Sequence, residues 1–92
     1  MTNIALFGAG GKMGCRLSKN LIGSKFSVHH VEVSEAGKAR LAAELGITPV
    51  DQSAALDGAD VVILAVPDTA IGKVATSISP QLKAGTMVVV LD

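Results

Sequence analysis

The chain has 92 residues, 49% of them apolar and 17% charged, a balance that excludes intrinsic disorder and leaves room for one hydrophobic core. Eight Lys and Arg offset eight Asp and Glu, so no overall basic field exists to draw nucleic acid or an anionic membrane. A lone cysteine cannot close an intrachain disulfide, and Phe7 and Phe26, the only aromatic residues, cannot build a base-stacking platform.

The elements follow from punctuation and period. Ile4 to Phe7 is a continuous apolar run stopped by Gly8-Ala9-Gly10-Gly11, which suits a strand buried on both faces and released into a tight turn. Met13, Leu17 and Leu21 then recur at helical spacing, with Lys12, Arg16 and Lys19 on another face and Gly23 as the stop. Phe26 to Val33 reads as a second strand, and Ala36 to Leu45 as a second helix ended by Gly46. Thr48 to Val50, interrupted by Pro49, fits an edge strand, and Ser53 to Leu56 a brief helix closed by Gly58. Asp60 to Val66 is the strongest strand signal. Pro67-Asp68-Thr69 breaks it and opens a helix carrying Ile71, Val74, Ala75 and Ile78 on one face, which Pro80 ends. Met87 to Leu91 is the last strand. Strands alternating with helices imply a parallel sheet covered on both faces: a Rossmann-type doubly wound α/β domain over residues 1–92, with five strands in the order 3-2-1-4-5.

The longest apolar run, Val61 to Val66, is far short of the roughly 18 to 20 residues a membrane-spanning helix needs. Met1-Thr2-Asn3 brings no basic side chain and no signal core follows, so the expected location is cytoplasmic.

Chemistry concentrates at Gly8-Ala9-Gly10-Gly11-Lys12-Met13-Gly14. The segment matches G-x-x-G-x-x-G at Gly8, Gly11 and Gly14, one residue longer than the usual dinucleotide-binding spacing. Gly8 permits the tight turn, Gly10 and Gly11 let backbone approach a pyrophosphate, and Gly14 lets the helix lie close on the sheet. Amides near Gly11, Lys12 and Met13 are expected to point at the phosphates from the positive end of the helix dipole. Glycines alone mark any turn. Here they lie between a strand and a helix, and Glu32 follows Gly14 by eighteen residues, at the end of the second strand. An acid there accepts hydrogen bonds from the adenosine ribose hydroxyls. It also repels a 2′-phosphate, which favours NAD over NADP. Lys38 and Arg40 on the next helix remain candidates for a 2′-phosphate, although a solvated helix face is their default.

Gly8 to Gly14, Glu32 and the stretch Ala59 to Asp68 together resemble the N-terminal NAD(P)-binding domain of the 6-phosphogluconate dehydrogenase-like and 3-hydroxyacid dehydrogenase superfamily. Within it the loop is most similar to sugar-acid oxidoreductases of the D-apionate oxidoisomerase type. It is also similar to dihydrodipicolinate reductases and, more loosely, to semialdehyde dehydrogenase NAD-binding domains. The resemblance implies hydride transfer between a nicotinamide and an alcohol or aldehyde carbon of a small sugar acid or hydroxy acid. It places Ala65, Val66, Pro67 and Asp68 beside the cofactor's ribose and nicotinamide, and Ile71 toward the adenine. Such enzymes continue into a helical domain with the catalytic groups and much of the dimer interface. The resemblance therefore makes this chain an apparent fragment of a homo-oligomeric enzyme, without catalytic residues of its own; a freestanding nucleotide-binding or redox-sensing module is the alternative.

Other side chains carry less. His29 and His30 alternate across a strand and cannot chelate one ion. Cys15 sits in a helix's first turn, where packing against the sheet is the expected role rather than reactivity. Asp51, Asp57, Asp60 and Asp68 lack metal-ligand spacing, and no Ser-His-Asp or paired-carboxylate constellation assembles.

Overall fold

The computed structural model describes residues 2–91, leaving out the side chain of Asp68. The chain runs β1 (Asn3–Phe7), α1 (Lys12–Leu21), β2 (Ser27–Val31), α2 (Glu35–Leu45), α3 (Gln52–Leu56), β3 (Val61–Leu64), α4 (Asp68–Ile78), a 3-10 turn at Ser79–Gln81, and β4 (Met87–Val90). The strands form one parallel sheet in the order β2-β1-β3-β4. The α/β class and the parallel, doubly wound sheet agree with the sequence; the count of five strands does not.

The difference lies at Thr48 to Val50, which form no strand. Pro49 has no N–H to give a ladder, and a single backbone bond remains, from Val50 N to His30 O at 2.8 Å. Without that strand, the expected order 3-2-1-4-5 reduces to its remaining four members in unchanged sequence. Two boundaries also contract: the second strand stops at Val31, and the third at Leu64, so Glu32, Ala65 and Val66 lie in the connections beyond the strands.

β1 is central, and its side chains divide two layers. Ala5 and Phe7 enter a cluster with Val62, Leu64, Leu56 and Ile78 beneath α3 and α4. Leu6 joins Leu41, Leu17 and Leu21 beneath α1 and α2. This is why Ile4 to Phe7 is apolar without alternation. The small residues Gly14, Cys15 and Ser18 form the buried face of α1, and the Ser18 hydroxyl donates to Gly14 O at 2.8 Å. Met13, expected on that face, is instead 42% exposed, because it stands at the mouth of the turn that starts the helix. No described helix is long and apolar enough to cross a membrane.

The two ends of the sheet differ. At the end where the strands begin, Asp60 Oδ2 accepts from Asn3 N at 2.9 Å and Oδ1 pairs with Lys83 at 2.9 Å. At the other end, Phe7 is level with Val31 on one side and with Leu64 on the other. The chain leaves β1 for β2 in one direction and reaches β3 in the other, so the crevice beyond Phe7 is the topological switch point at which open α/β sheets bind ligands.

Candidate functional site

Gly8 opens the turn after β1 with φ 76°, a left-handed conformation that glycine alone adopts without strain. Its amide and that of Ala9 both donate to Val31 O, at 2.9 and 3.2 Å, which fixes the turn over the end of β2. A Cβ on Gly8 would strike Ala65 O and the Val66 side chain, and one on Gly14 would strike Gly8 O. The β1–α1 turn and the β3–α4 connection are therefore packed backbone to backbone, with no room for a larger residue.

Gly10 behaves differently from the sequence expectation. It is buried, and a Cβ there would collide with the backbone of Gly37 in the first turn of α2. Its missing side chain thus lets the turn sit on α2 rather than leaving open backbone. Gly11 is the residue with space around it, its only close neighbour to an added Cβ being Gly8 O at 3.4 Å. The Gly11 amide, expected to be unpaired, donates to Gly8 O at 3.1 Å. The amides left facing outward are those of the first turn of α1, from Lys12 onward, because helix geometry offers them no acceptor. No side chain caps them and no acid lies in that turn, so the positive end of the α1 dipole faces the crevice uncompensated.

Glu32 closes the site from the β2 side. Its Oε1 accepts from Gly10 N at 2.8 Å, and its Oε2 accepts from Ser34 N at 3.0 Å and from Ser34 Oγ at 2.9 Å. Ser34 in turn caps α2, its Oγ accepting from Gly37 N at 3.0 Å. Three of roughly four lone-pair positions on the carboxylate are used, which leaves capacity for a further donor. A Cβ on Gly37 would overlap the Glu32 side chain, so the α2 glycine makes space for the carboxylate as well as for Gly10.

The structure thus brings together Gly8, Gly10, Gly11, Gly14, Glu32, Ala65 and Val66. Lys12 and Met13 are exposed at the start of α1; Pro67 precedes α4, and Ile71 lies half-buried one turn into it. Asp68 opens α4, and the expectation for its side chain falls outside the described residues. Three participants escaped the sequence reading: Ser34, Gly37 and Arg40. Arg40, read there as a solvated-face residue by default and otherwise as a contact for a 2′-phosphate, donates from Nη1 to Gly10 O at 2.8 Å. Ser34 was legible as an N-cap, three residues before a glycine; the reach of Arg40 back to the turn was not.

Cys15, His29 and His30 lie outside the glycine turn. Burial raises the Cys15 thiol above its ordinary range, reinforced by the negative charge of Glu44, whose Oε2 lies 3.9 Å from Sγ. Burial also lowers His30, with the charge of His29 adding to it. His29 Nδ1 and His30 Nε2 are buried without hydrogen-bond partners. Among the described residues, no three His, Cys, Asp or Glu side chains cluster to hold a metal.

A family model described as NADP oxidoreductase, coenzyme F420-dependent, matches residues 3–91. The chain is 70% identical over 92 residues to a D-apionate oxidoisomerase of Rhizobium rhizogenes, covering 34% of that protein. A semialdehyde dehydrogenase NAD-binding protein from Cupriavidus necator, crystallised in complex with calcium and NAD, matches the whole chain with a TM-score of 0.97 and 65% identity, over 33% of its own length. The 3-hydroxyisobutyrate dehydrogenase of Mycobacterium tuberculosis, solved with L-serine, matches 98% of the chain with a TM-score of 0.81 and 27% identity, over 31% of its length. The chain spans about a third of the length of these relatives.

Proposed function

We propose that this chain, which belongs to the family described as NADP oxidoreductase, coenzyme F420-dependent, is the dinucleotide-binding domain of an oxidoreductase and that its cofactor is NAD. The observation that carries the reading is the 2.8 Å bond from Gly10 N to Glu32 Oε1. It joins a glycine turn at the switch point to an acid at the end of β2, and so sets a ribose acceptor beside an uncapped helix N-terminus. The NAD in the Cupriavidus necator relative supports the same choice.

In this reading the outward amides of Lys12, Met13 and Gly14 receive the pyrophosphate, and the Lys12 side chain adds a positive charge beside it. Gly11, with open space beside it, lets the phosphates come close to the backbone, while Gly8 turns the chain and Gly10 seats the turn on α2. Glu32 takes the ribose hydroxyls with its remaining acceptor capacity and opposes a 2′-phosphate by charge, which places NADP second. Ala65, Val66, Pro67 and Asp68 border the nicotinamide half, and Ile71 the adenine side. The bound nicotinamide supplies hydride transfer to or from an alcohol or aldehyde carbon. The substrate is proposed to be a small sugar acid or hydroxy acid, because relatives 70% and 67% identical to the chain are named D-apionate oxidoisomerase. The groups that read it are assigned to the two thirds of those relatives beyond the matched part.

Calorimetric titration with NAD, NADH and NADP tests this reading. Saturable binding of NAD and NADH, with NADP at least tenfold weaker, is expected. Absence of NAD binding, or a preference for NADP, would overturn it.

A further inference from the structure

We infer that Arg40 is a positioning residue for the phosphate-binding turn, acting through the Gly10–Gly11 peptide; this rests on the dinucleotide reading above. The two flanking glycines make that peptide the least restrained in the turn, since neither residue has a Cβ to limit φ and ψ. Its two polar ends are nevertheless both held. The Gly11 N–H donates to Gly8 O at 3.1 Å, and the Gly10 carbonyl accepts from Arg40 Nη1 at 2.8 Å.

The guanidinium is itself anchored. Arg40 Nε lies 3.9 Å from Glu44 Oε2, one turn along α2, and the side chain lines a groove of about 500 Å³ between α1 and α2, together with Lys12, Cys15 and Arg16. Gly10 meanwhile lies against Gly37, one turn before Arg40 on the same helix. Gly10 is therefore held at both ends: Glu32, in the connection before α2 and seated against Gly37, holds its N–H, and Arg40 on α2 holds its carbonyl.

The consequence for an anion follows from dipoles. With its carbonyl turned toward Arg40, the Gly10–Gly11 peptide directs its negative end to α2 and away from the start of α1. A flip of this peptide would break the Arg40 bond and turn the carbonyl toward the amides that receive phosphate, opposing the helix dipole. Arg40 disfavours the flip and keeps the first turn of α1 ready for an anion. A lysine retains the charge and a donor at similar reach, but not the planar fork that also engages Glu44.

The test titrates the protein and its Arg40→Ala and Arg40→Lys variants with ADP, adenosine and NAD by calorimetry, alongside thermal unfolding and amide exchange at Gly11. Arg40→Ala should weaken ADP and NAD about tenfold, the usual worth of one charged hydrogen bond. It should change adenosine less than about twofold, because adenosine lacks the phosphates the turn receives. Gly11 exchange should quicken in Arg40→Ala, and Arg40→Lys should recover most of the ADP affinity. Equal losses for ADP and adenosine, or unchanged Gly11 exchange, would overturn the positioning role while leaving the NAD reading intact. Wild-type protein that binds neither NAD nor ADP would overturn both.

Discussion

Glu32 and Gly10, separated by 22 positions, are joined by a 2.8 Å hydrogen bond from the Gly10 amide to Glu32 Oε1. The acid that would receive a ribose also holds the turn that would receive the phosphates. Glu32→Ala should therefore weaken NAD by about 1.5 to 3 kcal/mol, roughly ten- to a hundredfold in Kd. The same change frees Gly10 N and the Ser34 amide, so unfolding free energy should fall by about 1 to 3 kcal/mol. Calorimetry and urea unfolding measure the two effects. Full stability in the variant would show that the bond does not hold the turn, and an equal loss for NADP would remove Glu32 from the ribose.

The glycines of the chain should divide sharply in their tolerance of a methyl group. Gly10→Ala and Gly14→Ala place a Cβ on the Gly37 backbone and on Gly8 O respectively, and each should cost more than about 3 kcal/mol or prevent folding. Gly72, inside α4 and with nothing near its added Cβ, is the contrast. Gly72→Ala should stabilise by about 0.5 to 1 kcal/mol through helix propensity. Thermal unfolding of the three variants is decisive, and comparable effects at Gly14 and Gly72 would contradict the packing described here.

The division between what the residues announced and what they concealed follows the range of the interactions. β1, its glycine turn, α1 and α4 are set by local signals: an apolar run, a positive-φ glycine, a helical period. Those signals set Gly8 in the turn after β1 and Gly14 in the first turn of α1, while Glu32 lies one residue beyond the end of β2. Thr48 to Val50 was misjudged because strand formation at an edge depends on donors offered to a neighbour, and Pro49 withholds one. Arg40 was misjudged for a related reason, since a helix-surface arginine looks the same in sequence whether its partner is water or a carbonyl 30 positions away. Gly37 reads as a weak helix residue until Gly10 and Glu32 are seen against it.

Stability should fall as the pH drops below about 6.5, the ordinary histidine value. Burial, followed by the charge of His29, lowers His30 in the folded protein, whereas unfolding restores the ordinary value. The unfolded chain therefore takes up the proton first, and acid favours it. His30 lines a hollow with Ser18, Leu21, Phe26, Val28 and Ile47, in which an apolar ring is tolerated. His30→Phe should flatten the dependence of Tm on pH between about 5 and 7, and an unchanged slope would assign it to another group. Asp60 contributes at lower pH. The Asn3 amide and Lys83 hold its carboxyl below the ordinary range, so its contribution is present at neutral pH and is lost as pH falls through that depressed value.

Cys15 should react slowly with iodoacetamide at pH 8 compared with the same residue in urea-unfolded protein. Its thiol is buried and raised above its ordinary range, first by desolvation and then by Glu44, and only the thiolate is nucleophilic. Glu44→Gln removes the second influence and should accelerate alkylation severalfold without exposing the residue. If folded and unfolded rates match, the first turn of α1 is not packed as described.

For residues 1–92 taken alone, β4 should drive self-association. Met87, Val88 and Val90 are 62%, 42% and 48% exposed, and β4 is the outer strand of the sheet, paired on one side with β3. The segment Met87 to Val90 carries no charge, proline or glycine to deter a second strand, and an apolar edge of that kind pairs readily with another chain. Light scattering after size exclusion should show a mass that rises over a hundredfold increase in protein concentration. Val88→Lys puts a charge on that edge without touching the glycine turn or Glu32. The variant should remain monomeric over the same range and keep the NAD affinity of the parent. Association that persists in Val88→Lys would place the contact on a helical layer instead, and a monomeric parent would show that this edge does not recruit a partner.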